Sequence, residues 1–104
     1  MNKRLSMLVK LVDSGSADSF AHYALALEYR KEQQPEAALD VFGRLRQKDP
    51  SYLPMYLMAG QMLVELQRMP EARQWLEAGI QLATQQGNSQ ALGELQGELA
   101  QATR

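Results

Sequence analysis

The only histidine of the chain, His22, lies close in sequence to two serines and an aspartate, the residue types of a hydrolytic triad. Ser16 or Ser19 would be the nucleophile, His22 the base, and Asp18 the group that orients the base. The same stretch leads into a predicted helix, where Ser and Asp are expected as N-caps for helix capping alone. We therefore interpret these residues as capping residues and predict no catalysis there.

Other common catalytic and cofactor motifs are missing from the sequence. The 104 residues include no cysteine, which excludes disulfides, thiolate metal ligands and cysteine nucleophiles. A single histidine without cysteine is a poor basis for a transition-metal site. Neither a GxxxxGK[ST] nor a GxGxxG phosphate loop occurs. The sequence predicts no cofactor and no enzymatic activity.

Charge and hydropathy narrow the class of partner. The chain has 11 basic and 12 acidic residues and a net charge of −1, so it lacks the clustered basic residues that hold phosphates. No apolar run approaches the roughly 18–20 residues of a membrane span. The N-terminal run from Leu5 to Val9 is interrupted by Lys10 and is not followed by a signal-peptide cleavage motif. We expect a soluble cytoplasmic protein that binds neither nucleic acid nor membranes.

Apolar residues recur at helical spacing along most of the chain, and alternation typical of strands is absent. Pro35, Pro54 and Pro70 each fall in the first turn of a predicted helix, where a missing N–H is tolerated. Pro50 and Gly87 mark helix ends. Because the connecting loops are short, consecutive helices are expected to pack antiparallel.

The sequence resembles itself when it is shifted by 34 residues. In most of the matching pairs small residues meet small ones and large residues meet large ones, with Leu45 on Gly79 as an exception. The same shift in the other direction places Leu8 on Phe42, so the first helix looks like the second half of an earlier repeat. The main matching pairs are Ala26 with Gly60, Ala38 with Ala72, Tyr29 with Leu63 and Phe42 with Leu76.

This pattern resembles the tetratricopeptide repeat, whose period is about 34 residues. The resemblance implies an all-α fold, an α-solenoid of antiparallel helix pairs with about six helices in a right-handed superhelix. It implies a single domain over residues 1–104. That domain would comprise a leading helix 2–13, a first repeat 19–52, a second repeat 53–86 and a C-terminal capping helix 88–103.

Several positions depart from the pattern of the family. His22 stands where the family has a bulky residue, and Leu45 where it has a small one. Gln33 and Gln67 replace the usual glycine between the two helices of a repeat. Thr84 replaces the closing proline of the second repeat. None of these departures disturbs the apolar period.

The resemblance also implies a binding surface, since such arrays usually hold peptides or helices in a concave groove lined by the first helix of each pair. The helix faces that would line this groove are largely apolar, and such a surface favours an apolar or aromatic partner. The alternative is that these residues pack against the terminal helices. Some members of the family bind the C-terminal carboxylate of a partner with Lys and Asn side chains on this face. The matching positions of this sequence carry neither residue type, so we expect no such carboxylate site. The predicted partner-binding residues are Tyr23, Leu27, Arg30, Leu57, Gln61 and Val64.

Several other residues allow two interpretations. Met55, Met58 and Met62 form a helical stripe that fits core filling better than adaptable binding. Trp75 fits a seam between helices slightly better than an exposed anchor for a partner. Glu28 replaces a small apolar residue of the family, so we expect it to point into the groove or to pair with a basic residue.

Gly93 and Gly97 lie one turn apart in the last predicted helix. Each costs about 1 kcal/mol relative to alanine in a helix interior. Either this helix frays, which we favour, or its backbone lies close to another element. If it peels away, the inner surface of the second repeat becomes available to a partner.

Together these features predict a protein–protein interaction scaffold or adaptor. One alternative is a self-associating helical assembly subunit, in which the apolar stripe of one copy meets that of another. A less favoured alternative is a small helical enzyme or ligand carrier, which would need an enclosed pocket with convergent polar groups around His22.

Overall fold

The computed structural model describes residues 2–104, and these form six α-helices with no strand among them. This confirms the predicted all-α helical repeat fold. The described residues divide into two compact units, one ending at Pro50 and one beginning at Ser51. The assignment of the whole chain to a single domain remains a prediction. The helices are α1 (Lys3–Asp13), α2 (Ser19–Lys31), α3 (Pro35–Lys48), α4 (Leu53–Glu65), α5 (Met69–Gln86) and α6 (Ser89–Ala102).

Helix starts are fixed in two ways. At α1, α2 and α6 a side-chain oxygen of Asn2, Asp18 or Asn88 accepts a hydrogen bond from the backbone N–H three residues on. These bonds pair N–H groups that the helix itself cannot satisfy. The other three helices have no such cap and instead carry proline in the first turn, at Pro35, Pro54 and Pro70.

The turns after α2 and α4 adopt the left-handed backbone conformation that favours glycine. Gln33 has a φ of 58° and Gln67 a φ of 59°. Their N–H groups donate to Arg30 and Val64 carbonyl oxygens at 3.0 and 2.9 Å. These glutamines therefore adopt the backbone conformation for which the family uses glycine, and a residue with a side chain is strained there.

In the first unit, α2 and α3 supply most of the core. Ala26, Ala38, Val41, Phe42 and Leu45 are fully buried. The bulky side chain at position 45 is therefore accommodated without exposure.

The contribution of α1 to the core is smaller, since only Val12 of this helix is buried. Met7 is 64% exposed and Leu11 is 39% exposed. Phe20 is 65% exposed although it belongs to the apolar pattern of α2. The stripe of Ala21 and Leu25 faces inward, and Phe20 lies about 100° of helix rotation away from Ala21.

In the second unit, α5 packs against both α4 and α6. Two buried glycines allow this close approach. A Cβ atom at Gly60 would lie 2.6 Å from Leu76 Cγ, and one at Gly79 would lie 2.7 Å from Tyr56 Cβ and 2.9 Å from Leu95 Cδ2. Substitution at Gly79 would therefore disturb the packing of α5 on both of its neighbours.

Candidate protein-binding faces

The Asp18 carboxylate and the Ser19 hydroxyl form their hydrogen bonds with groups other than the His22 ring. The His22 ring is 9% exposed, and its Nδ1 lies 2.9 Å from the Asp18 carbonyl oxygen. Because a carbonyl oxygen only accepts, Nδ1 is the donor. The Asp18 carboxylate accepts from the Ala21 N–H, and the Ser19 hydroxyl donates to Asp49 Oδ2 at 2.6 Å. Asp18 is therefore the cap of α2, whereas Ser19 contacts the loop after α3 and does not cap the helix.

The first trio of predicted binding residues lies on α2. Tyr23, Leu27 and Arg30 are all half-buried, at successive turns of the helix. The Tyr23 ring packs against Phe42 of α3, with 6.1 Å between ring centroids and a tilt of 52°. Tyr23 therefore contributes to the packing of α2 on α3 and keeps part of its surface accessible.

The second trio, Leu57, Gln61 and Val64 on α4, is also half-buried. The Gln61 amide donates to Glu98 Oε1 of α6 at 3.2 Å. Contact with a terminal helix, the alternative considered for this surface, is therefore present at Gln61.

Leu57 lines a cleft of about 460 Å³ between α4 and α6. Leu53, Leu57 and Leu95 form apolar walls, and Glu94 of α6 lies at the edge. The Gln86 amide donates to the Ser51 carbonyl oxygen at 3.1 Å and borders the cleft on the α5 side.

Sequence reasoning did not identify the α6 side of this cleft. The 34-residue shift already placed α6 where the first helix of a next repeat would lie. The residue 34 positions after Leu57 is Ala91, which lines the same cleft, so the repeat could have identified it.

A second concave surface, of about 500 Å³, lies between α1 and the end of α2. Leu5, Val9 and Tyr29 supply its apolar part, with Lys10 and Glu32 as charged members of the lining. The sequence did not predict it, because it depends on how α1 docks on α2.

Glu28 binds the start of α1. Its carboxylate accepts a hydrogen bond from Asn2 Nδ2 at 2.9 Å and pairs with Arg4 Nε at 3.0 Å. The side chain of Glu28 is 12% exposed and that of Arg4 is 62% exposed. Of the two roles expected for Glu28, the structure shows the pairing with a basic residue.

The methionine stripe and the tryptophan serve packing. Met55 and Met62 are buried, as expected of core filler, whereas Met58 is half-buried. The Trp75 ring of α5 packs on Tyr56 of α4 with centroids 5.8 Å apart and a tilt of 53°, so it lies at the seam between these helices. Gly93 and Gly97 face open space, so no element approaches their backbone closely.

Residues 2–104 contain no group of three or more histidines and carboxylates placed to hold a metal ion. Among the six described helices, none combines the length and the apolar character needed to cross a membrane.

Comparison with known proteins supports the repeat assignment. A tetratricopeptide repeat family model matches residues 29–101. Two structures of a tetratricopeptide repeat domain protein from Salinibacter ruber are similar. The crystal structure has 33% identity and a TM-score of 0.77, covering 84% of this chain and 97% of the other. The solution structure has 34% identity and a TM-score of 0.77, covering 82% and 86%.

The solution structure of a protein from Bordetella parapertussis has 26% identity and a TM-score of 0.83, covering 100% of this chain and 90% of the other. No curated protein matches the chain. The family model spans well over half of the chain, and the Salinibacter structures share its helical arrangement. The chain therefore belongs to the tetratricopeptide repeat family.

Proposed function

We propose that this protein is an interaction scaffold that holds a peptide or helix of a partner protein on the exposed parts of α2 and α4. Tetratricopeptide repeat proteins generally mediate protein–protein interactions and are typically not enzymes. The observation that carries the proposal is Leu57, a half-buried apolar side chain that lines an open cleft instead of completing the core.

Each unit offers its own face. In the first unit the face is Tyr23, Leu27 and Arg30, and in the second it is Leu57, Gln61 and Val64. Burial of apolar surface supplies the driving force, at roughly 25 cal/mol per Å². The uncharged residues at the carboxylate-site positions argue against a partner that is gripped by its C-terminal carboxylate.

Affinity capture from the native cell tests the proposal. The variants are Tyr23→Ala with Leu57→Ala, and Leu27→Ala with Leu57→Ala, which leaves the Tyr23–Phe42 contact intact. Phe20→Ala is the matched control, because it removes an exposed apolar side chain outside both faces. We expect both double variants to lose captured partners while their helicity by circular dichroism is unchanged. Equal capture by wild type, both double variants and the control would refute the assignment of these faces.

Self-association of one apolar stripe with another is the alternative within binding proteins. Light scattering over a concentration series separates the two. The variant Tyr23→Ala with Leu27→Ala leaves Leu57 in place. A lower molar mass of the assembly in this variant, with no foreign partner present, would favour self-association through the α2 stripe.

A further inference from the structure

The exposed face of α1 has an unusual composition for a helix surface. Met7 and Leu11, one turn apart, are exposed, and so are Lys3 and Lys10. Lys3 lies four residues before Met7 and Lys10 three residues after it, so all four residues share one face. Neither lysine has an ionic partner among residues 2–104. We call this surface, Lys3, Met7, Lys10 and Leu11, the basic α1 face.

The cleft of the second unit has complementary chemistry. Leu57 and Ala91 are half-buried and give the cleft its accessible apolar surface, and the exposed Glu94 lies at the edge. Glu98 follows Glu94 by one turn and accepts a hydrogen bond from the neutral Gln61 amide at 3.2 Å. No lysine or arginine occurs in α4 or α6, whereas Glu65, Glu94 and Glu98 do.

Two of the three arginines of the second unit, Arg68 and Arg73, are already engaged, and the third is the terminal Arg104. Arg68 pairs with Glu71 at 2.8 Å, and Arg73 donates to the Ala102 carbonyl oxygen at 3.0 Å. Like charges four residues apart on a helix destabilise it. A cation brought to Glu94 and Glu98 from outside would relieve that repulsion.

We propose that the basic α1 face of one copy docks into the α4–α6 cleft of a second copy. Met7 enters the cleft against Leu57 and Ala91, and the two lysines pair with Glu94 and Glu98. The two carboxylates are about 6 Å apart along the helix. The two lysines are about 10 Å apart, and their flexible four-carbon stems accommodate the difference.

This contact is heterologous, since the two surfaces that meet are different. Each copy offers both surfaces, so association continues from copy to copy as rings or short chains. Stable interfaces bury about 1,200–2,000 Å², and one short helix face covers less than that, so the association is weak and reversible. Because Leu57 also belongs to the proposed partner-binding face, docking of α1 competes with binding of a foreign partner.

Charge reversal tests this proposal with the intact chain. One variant carries Lys3→Glu and Lys10→Glu, and the other carries Glu94→Lys and Glu98→Lys. Wild-type protein is expected to show a weight-average mass that rises with concentration and falls in 0.5 M salt, since salt screens exposed charges. Each variant alone is expected to associate at least tenfold more weakly, because like charges then meet. An equimolar mixture of the two is expected to recover the association, since each α1 again meets a cleft of opposite charge.

Glu77→Lys is the matched control, because it alters an exposed carboxylate of α5 that lies outside the cleft. It is expected to associate like wild type. Circular dichroism establishes that each variant is folded, and Glu94→Gln with Glu98→Gln replaces the reversed pair if that pair unfolds the chain. A wild-type protein that stays monomeric at millimolar concentration overturns the proposal, as does a mixture that fails to recover association. The experiment needs no foreign partner, so its failure leaves the proposed scaffold function open to its own capture test.

Discussion

Gly60 of α4 and Leu76 of α5 are so close that a Cβ atom on Gly60 would lie 2.6 Å from Leu76 Cγ. Leu76 is fully buried, and its branched carbon cannot move without displacing its neighbours. The same position in the first repeat is Ala26, beside α3 in the other unit. Glycine at position 60 therefore sets the approach of α5 to α4.

The first prediction follows from this contact. Gly60→Ala is expected to lower the free energy of unfolding by about 1–3 kcal/mol, as overpacking of a filled core does. The gain in helix propensity offsets part of that loss. Gly43→Ala is the control, because a Cβ atom there meets nothing within 4 Å. Urea unfolding in which Gly60→Ala is as stable as wild type would contradict the close packing described.

The turns at Gln33 and Gln67 give the second prediction. A left-handed conformation costs a residue other than glycine about 1–2 kcal/mol. Glycine loses more entropy on folding, so Gln33→Gly and Gln67→Gly are each expected to gain only about 0.5–1 kcal/mol. Thermal unfolding measures this gain.

Gln81→Gly, an exposed position inside α5, is the matched control for both turn variants. It is expected to lose stability, because glycine is a poor residue in a helix interior. Loss of stability in both turn variants would show that the glutamine side chains, and not the backbone conformation, determine the turns.

Much of this fold could be read from local sequence features. The 34-residue match of Ala26 with Gly60 and of Phe42 with Leu76 reflects helix pairing, which depends on side-chain size at fixed spacing. The positive φ at Gln33 could be expected as well, because the family places glycine there.

The binding surfaces were harder to predict, because they depend on how the terminal helices dock. The cleft beside Leu57 exists because α6 places Leu95 and Glu94 opposite it. Exposure of Met7 on α1 depends likewise on the angle of that helix to α2. Apolar periodicity does not encode such angles.

Glu28 gives the third prediction. Its carboxylate binds both Asn2 and Arg4, and hydrogen bonds to a charged group are worth about 1.5–3 kcal/mol, less where the pair is partly exposed. Glu28→Ala is expected to loosen α1, with amide exchange about tenfold faster over residues 6–13. Asp40→Ala is the control, because it removes an exposed carboxylate of α3 that pairs with Arg44 of the same helix. Unchanged exchange in α1 would mean that its apolar contacts alone hold it on α2.

The fourth prediction concerns the stability of α6. Gly93 and Gly97 face open space, so Gly93→Ala and Gly97→Ala meet no obstacle and should each stabilise the helix by about 1 kcal/mol. In wild-type protein we expect amide exchange over residues 92–99 to be faster than in α5, and each substitution should slow it about fivefold. Slow exchange across these residues in the wild-type protein would argue against opening of α6.

The same two substitutions separate a fixed cleft from an opening helix. If a partner binds only after α6 moves away from α4, stabilising the closed form lowers the apparent affinity by the factor that slows exchange. If the partner instead uses the cleft with α6 in place, Leu57 and Leu95 remain together and the affinity is unchanged or higher. Titration of a captured partner against wild type and Gly93→Ala with Gly97→Ala distinguishes the two. A lower affinity of the substituted protein would mean that α6 opens before the partner binds. An unchanged or higher affinity would mean that the partner binds the closed cleft.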